Sequence, residues 1–287
     1  MRHLRAWFVV FPCLAILALG CSKPSADPID GNLVLVLPES AAPPDHDKSR
    51  VSKLSVNGKD YSEPRSTKRT LQVQSAAGSD EVTIEFSYWP NTYTNIIRTK
   101  VVKLAKDKTV SADLTKEDPA MPDLIKPIYV PTPKQVVAEM CRMAKLGSDD
   151  IVYDIGCGEG LMVLQAVKEF GAKKGVGIDI DAGLIAKCLE HRKKDGLDDK
   201  VEFRAANALE IKDFSEATVV LLYLGDFLNH KLKPVLRETL KPGARVVSHR
   251  FLMGDDWPPD ETRTINAINN YDTQEEYKLH IWHIKKK

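Results

Sequence analysis

Val152-Tyr153-Asp154-Ile155-Gly156-Cys157-Gly158-Glu159-Gly160 decides the reading of this chain. A short apolar run carries one acidic residue and then meets three glycines at every second position. The run reads as a strand, and the glycines as a turn opening into a helix. A residue without Cβ takes positive φ at no steric cost and lets main chain approach a ligand closely. At the carboxyl end of the first strand of an open α/β sheet, nucleotide-like ligands sit on such a turn. The stretch predicts bare main chain from Asp154 to Gly160, with Gly156, Gly158 and Gly160 facing the ligand.

Downstream, Gly177-Ile178-Asp179-Ile180 ends a second strand, with Asp179 lying 25 positions beyond Asp154. A carboxylate there can accept hydrogen bonds from both hydroxyls of a ribose, with Ile180 beside it. Asn207-Ala208 follows a third strand, where an adenine edge would be read. A dinucleotide fingerprint requires glycine at position 161, where this chain has Leu161. Strands are expected at Ile151–Ile155, Gly175–Ile180, Val201–Arg204, Thr218–Tyr223 and Ala244–Phe251, and helices after Glu159, Ala182 and Asn229. That alternation predicts an α/β fold with a doubly wound, mostly parallel sheet. The clean alternation of 277–284 suits a final antiparallel strand.

Upstream, Thr132-Pro133-Lys134-Gln135 predicts a helix start, with Thr132 as N-cap, Pro133 at the first position and Gln135 in capping-box register. Gly147 is the expected stop. Lys116 to Pro127, which also holds Pro119 and Pro122, reads as a linker. Residues 32–115 have a period of two. Leu33 to Leu37 is a buried-strand run, and Val82, Ile84, Phe86 and Tyr88 alternate with polar residues. Asn57-Gly58 signals a type I′ hairpin. This predicts a small antiparallel, sandwich-like β-module, loosely similar to the PEGA-like domains of bacterial surface proteins. It carries no nucleophile with a base and no cluster of metal ligands. Spacing, or contact with an envelope partner, is its expected task.

The first residues read as an address. Arg2 and Arg5 precede an apolar run from Ala6 to Leu19, which ends in Ala18-Leu19-Gly20-Cys21. The pattern looks like a bacterial lipoprotein signal over residues 1–20, with Cys21 lipidated, residues 21–31 as a flexible stalk, and the rest of the chain membrane-tethered outside the cytoplasm.

The net charge of +1, from 41 basic and 40 acidic residues among 287, argues against bulk electrostatic binding of nucleic acid. Hydrophobic residues at 43% exclude wholesale disorder. Five cysteines without a C-x-x-C pair exclude a zinc ribbon or a disulfide-dense scaffold, and no metal site is expected. Cys141, Cys157 and Cys188 read as small helix or loop residues.

The D-x-G-x-G-x-G pattern resembles motif I of class I S-adenosylmethionine-dependent methyltransferases. That cofactor carries an ammonium and a sulfonium in place of a pyrophosphate, so acidic character from Asp154 and Glu159 suits it. Four segments occur in order: Ile128 to Pro133, the glycine loop, Ala217 to Leu224, and Pro242 to His249. Together they are similar to the protein-lysine methyltransferases related to the ATP synthase c-subunit lysine methyltransferase, over residues 128–287. The resemblance implies S-adenosyl-L-methionine as cofactor, a seven-stranded sheet and a lysine amine of a protein as acceptor. It also implies that Tyr129 and Thr132 fold over the methionine end of the cofactor. Three places depart from the family pattern: Glu159 with Leu161 where Asp and Arg are usual, Asn207 where Asp is usual, and Gly225-Asp226 where Leu-Pro is usual. Around the acceptor, Tyr223 is the expected substrate-pocket residue, as hydrogen-bond partner or wall. Asp226 and His249 stand nearby, and loop or core roles are expected of them ahead of direct ones. The rival reading is a non-catalytic envelope lipoprotein that uses this domain as a binding platform.

Overall fold

The computed structural model describes residues 27–40, 48–62, 66–91 and 93–286; residues 1–20, expected to be a lipoprotein signal, and Cys21 lie outside them. Among the described residues the strands form three sheets. The first part of the chain contributes β1 (Asp30–Val36), β2 (Lys53–Val56), β3 (Lys59–Asp60), β4 (Lys68–Gln74), β5 (Glu81–Tyr88), β6 (Thr94–Lys103), β7 (Thr109–Asp113) and β8 (Leu124–Pro127). Three of them make a sheet in the order β4-β1-β7, and five make a second in the order β3-β2-β5-β6-β8. Alternate residues of β1 and β5 are buried, so Leu33, Leu35, Val82, Ile84 and Phe86 share one core, as the period of two requires. Asn57 and Gly58 both take positive φ, 50° and 76°, and close the β2–β3 hairpin.

Two expectations for this module are corrected. It is not purely antiparallel, because β1 pairs with β7 in parallel. Residues 116–127 are not wholly a linker, because their last four residues form β8 and pair with the start of β6, from Ile97↔Leu124 to Thr94↔Pro127. Pro127 ends an edge strand, where a missing N–H is tolerated, so its prolines did not exclude a strand.

The second part runs α1 (Lys134–Met143), β9 (Ile151–Ile155), α2 (Leu161–Lys168), β10 (Lys174–Asp179), α3 (Ala182–Lys194), β11 (Val201–Ala205), β12 (Val219–Leu222), α4 (Asp226–Thr239), β13 (Arg245–His249), β14 (Glu261–Ile268) and β15 (Gln274–His283). These seven strands form one mixed sheet in the order β11-β10-β9-β12-β13-β15-β14. The first five pair in parallel, and β15 runs antiparallel to both β13 and β14. Side chains of β9 and β12 alternate between the faces. Val152, Val219 and Leu221 pack with α1 and α2, whereas Tyr153, Ile155, Val220 and Leu222 pack with Leu228, Leu232 and Leu236 of α4. The chain order turns back between β9 and β12, and a crevice opens beyond the carboxyl ends of strands at such a reversal.

The start and stop of α1 also differ from expectation. The helix begins at Lys134 after Pro133 without a side-chain cap, and Thr132 is buried instead of capping. It ends before Gly147. Lys145 takes left-handed φ, 49°, and the Leu146 amide donates to Cys141 O, so a lysine fills the position glycine usually takes. β14 carries only weak apolar alternation and was not located from sequence, because its partner β15 supplies its pairing and its outer edge faces solvent.

Candidate functional site

Main-chain bonds pin the glycine loop to β10. Gly156 and Cys157 both donate to Ile178 O, at 2.7 and 3.0 Å, and Gly160 donates to Cys157 O at 2.8 Å. All three glycines have positive φ: 75° at Gly156, 55° at Gly158 and 83° at Gly160. The expected bare surface is corrected in its detail. A Cβ on Gly156 would collide with Leu224, one on Gly158 with the ring of Tyr129, and one on Gly160 with the ring of Phe203. The protein's own side chains thus fill the space these glycines free. The crevice beside them stays open as a cavity of ≈ 690 Å³. Gly156, Tyr129, Thr132, Asp179, Ile180, Asn207, Ala208 and Tyr223 line it; Asp154, Gly158 and Gly160 stand behind it.

Two carboxylates organise this wall. Asp179 Oδ2 accepts from the Gly158 amide and Oδ1 from the Asp181 amide, both at 2.9 Å. Asp179 therefore holds the loop in place and keeps unused lone pairs on the cavity side. Asp154 is 1% exposed, and neither of its oxygens has a partner. Burial, and secondarily the charge of Asp179, pushes its carboxyl up to about 8. A buried carboxylate without a partner is costly, and a cation delivered by a ligand relieves that cost. Thr132 Oγ1 is likewise buried and unpartnered. Glu159 supplies less free negative charge than expected, since Lys187 pairs with it at 2.7 Å.

The adenine position is partly committed. Asn207 Oδ1 accepts from the Leu209 amide at 3.1 Å, and its Nδ2 donates to Glu210 at 3.2 Å, capping the turn Ala208–Glu210. One lone pair of the amide oxygen remains. Tyr129 covers Gly158 although its residue is 46% exposed; burial of the hydroxyl, then the charge of Glu159, pushes its pKa up to about 12.

At the ends of β12 and β13 the rings form a stack. Tyr223 lies on His249 with centroids 4.0 Å apart and on Phe251 at 5.7 Å. Burial pushes the Tyr223 hydroxyl up to about 12, so it keeps its proton at neutral pH. His249 is 1% exposed, neither ring nitrogen has a partner, and it does not line the cavity. Burial, and then the Arg250 charge, holds it neutral at about 3. Asp226 accepts from the Leu252 amide at 3.1 Å and fastens the loop after β13. Tyr223 thus lines the crevice with His249 stacked on its ring, and neither His249 nor Asp226 lines it.

The β-module belongs to the same site, which sequence reading missed. Residues 123–128 line the cavity. Arg250 donates to the Tyr93 hydroxyl at 2.6 Å, and Tyr93 meets Phe251 edge-on at 5.7 Å. Gly225, one of the departures from the family pattern, sits against the module: a Cβ there would lie 3.0 Å from Thr94 Oγ1. That departure was the one available signal. Among the described residues no helix is long and apolar enough to cross a membrane.

The sequence profile of the ANTKMT methyltransferase domain matches residues 154–261. The protein-lysine N-methyltransferase of Saccharolobus islandicus (strain REY15A) is 45% identical over 141 residues, which cover 49% of this chain and 86% of that protein. The ribosomal protein L11 methyltransferase of Vibrio cholerae serotype O1 (strain M66-2) is 31% identical over 104 residues, so this chain spans only 33% of its length. A crystal structure of an RNA methyltransferase from Salinibacter ruber in complex with S-adenosyl-L-homocysteine is 43% identical, with a TM-score of 0.49, covering 55% of this chain and 95% of that one.

Proposed function

The chain belongs to the S-adenosylmethionine-dependent methyltransferase family of the Saccharolobus islandicus protein-lysine N-methyltransferase, and from that membership we propose that it methylates the side-chain amine of a lysine in a protein. The observation that carries the lysine assignment is the extent of that likeness, which spans 86% of the relative's length.

S-adenosyl-L-methionine supplies a methyl carbon already activated by a sulfonium, so the protein's work is alignment and exclusion of water. Asp154 would meet the cofactor's ammonium with a buried carboxyl that the cation would hold in its ionised form, and its two unpartnered oxygens support that role. Asp179, fixed by two amides, offers its free lone pairs to the ribose hydroxyls. Tyr129 and Thr132 close the methionine end. Asn207 and Ala208 would hold the adenine, and Ile180, which lines the same cavity, would offer it apolar surface. Tyr223 is protonated at neutral pH, and its oxygen can accept an N–H of a neutral acceptor amine. That bond aims the nitrogen lone pair and leaves proton loss to occur before the amine enters.

The chain is further proposed to be tethered through a lipidated Cys21 and to act outside the cytoplasm, on a protein at the membrane. Labelled palmitate incorporation, lost in Cys21→Ser, tests the anchor. Transfer of a labelled methyl group into a cell-envelope extract, followed by amino-acid analysis, tests the activity. Label in methyl-lysine supports it. Cofactor binding without transfer would instead establish the non-catalytic platform.

A further inference from the structure

We propose that the β-module forms one wall of the methyl-acceptor pocket and selects the acceptor, with Leu124 and Lys126 of β8 as its specificity-determining residues. The proposal rests on the methyltransferase reading above and deepens it.

Three contacts place the module at the acceptor end of the crevice. Gly225 follows the carboxyl end of β12 with φ of 87°, and Thr94 Oγ1 lies 3.0 Å from the place a Cβ would take. Only glycine accepts both that φ and that approach without strain. Tyr93, one residue earlier, reaches Phe251, whose ring also stacks on Tyr223. Arg250 takes left-handed φ, 68°, which a long side chain adopts only when its surroundings over-determine it. Tyr93 and Glu275 supply that restraint by accepting from its two terminal nitrogens, at 2.6 and 2.8 Å.

The wall is also stiff. Asp123, at the entry to β8, receives two hydrogen bonds from Arg98, at 2.8 and 2.5 Å, and both side chains are almost fully buried. A bidentate pair of this kind fixes direction as well as distance. Beside it, Glu117 accepts from the Asp123 amide at 3.0 Å and from Lys231 of α4 at 2.7 Å, tying the module to the helix whose Leu228 and Leu232 also line the cavity. β8 then continues directly into Ile128, whose amide donates to Tyr93 O, and into Tyr129 over the glycine loop. Module, acceptor wall and cofactor cover are therefore one continuous stretch of chain.

The chemistry of the wall describes the acceptor. Leu124 is 39% exposed at the cavity rim and presents an aliphatic surface that suits the unbranched stem of a lysine. Lys126 is exposed on the same strand and lines the same cavity, so its ammonium favours an acidic residue next to the target.

The test uses the full chain with Leu124→Trp and Lys126→Glu, whose side chains lie outside the buried core. Labelled-methyl transfer into a cell-envelope extract is resolved by gel, and affinity for S-adenosyl-L-homocysteine is measured by calorimetry. Expected is a loss of about tenfold in initial rate on the bands the wild type labels, with a changed pattern in Lys126→Glu and cofactor affinity within about twofold. The same bands at the same rates overturn the proposal. So does a parallel fall in cofactor affinity, which would assign β8 to the cofactor. Label in a residue other than lysine overturns the lysine reading alone, because the variants are still compared on whatever acceptor is labelled.

Discussion

Replacing Asp154 by Asn measures what an unpartnered buried carboxylate costs this fold. The side chain is fully enclosed, and its pKa rises from 3.8 to about 8. A raised folded pKa means that between these values the native protein keeps a proton that the unfolded chain has lost. Stability therefore falls as pH rises through that window, and the full penalty is present above about 8. The shift of about four units, at roughly 1.4 kcal/mol each, sets a ceiling of about 6 kcal/mol. Asn carries no charge, but its amide is also buried without partners, at a cost of about 1–3 kcal/mol at every pH. Because the Asn cost is the same at every pH, it cancels from the pH dependence. Most of the carboxyl's penalty develops between pH 5 and pH 8, so the variant should gain about 4 kcal/mol on the wild type between pH 5 and pH 9. Urea unfolding at pH 5, 7 and 9 reads this directly. In the presence of S-adenosyl-L-homocysteine, which keeps the ammonium and lacks the sulfonium, the gap between the two should narrow. At a hundredfold excess over Kd the wild type gains about 2.7 kcal/mol, and Asp154→Asn much less. A stability difference independent of pH would refute the proton-bound carboxyl, and equal protection by the ligand would refute its pairing with the ammonium.

Asp179→Ala removes the acceptor for both the Gly158 and Asp181 amides and should lower Tm while abolishing thermal protection by the cofactor; protection equal to the wild type would dismiss the ribose assignment. Gly158→Ala forces a methyl group into the Tyr129 ring at positive φ and should cost at least about 1 kcal/mol. Combining it with Tyr129→Ala should recover part of that loss, and strict additivity in the double-mutant cycle would show that the two do not touch. Burial acts to raise the Asp150 pKa, but hydrogen bonds from Arg245, the Thr218 hydroxyl and the Gly147 amide together outweigh it and leave the carboxyl below its usual range. The associated stability is present above the ordinary carboxylate pKa and is lost as pH falls through the folded value. Arg245→Met should cost about 3 kcal/mol near neutral pH, the lower end for a broken buried pair, by taking the cation from Asp150 while Thr218 and the Gly147 amide still donate to it. Acid unfolding of the variant at the wild-type midpoint would contradict this.

The glycine loop was legible from sequence because its signal is local. Positive φ at three alternating positions is a demand that glycine alone meets cheaply, so the residues declare the turn before any tertiary contact exists. Asp179 was legible for a related reason, since the end of the second parallel strand lies beside the first wherever the alternation of strands and helices holds. The β2–β3 hairpin likewise follows from Asn57-Gly58.

Other features depend on partners distant in the chain. β14 owes its place to β15, and β8 owes its place to β6, so neither announces itself by a strong period of its own. Asp154 is an acidic residue in an apolar run on either reading; that it is buried with no partner is a property of the folded chain alone. The residues of 152–160 determined on their own the sharp glycine turn that borders the crevice, because positive φ at three alternating positions is a local demand. What closes the acceptor side of that crevice was settled by tertiary structure alone. Thr94 and Gly225 are 131 positions apart in the chain, and no local preference can report a contact that exists only after two sheets have folded against each other.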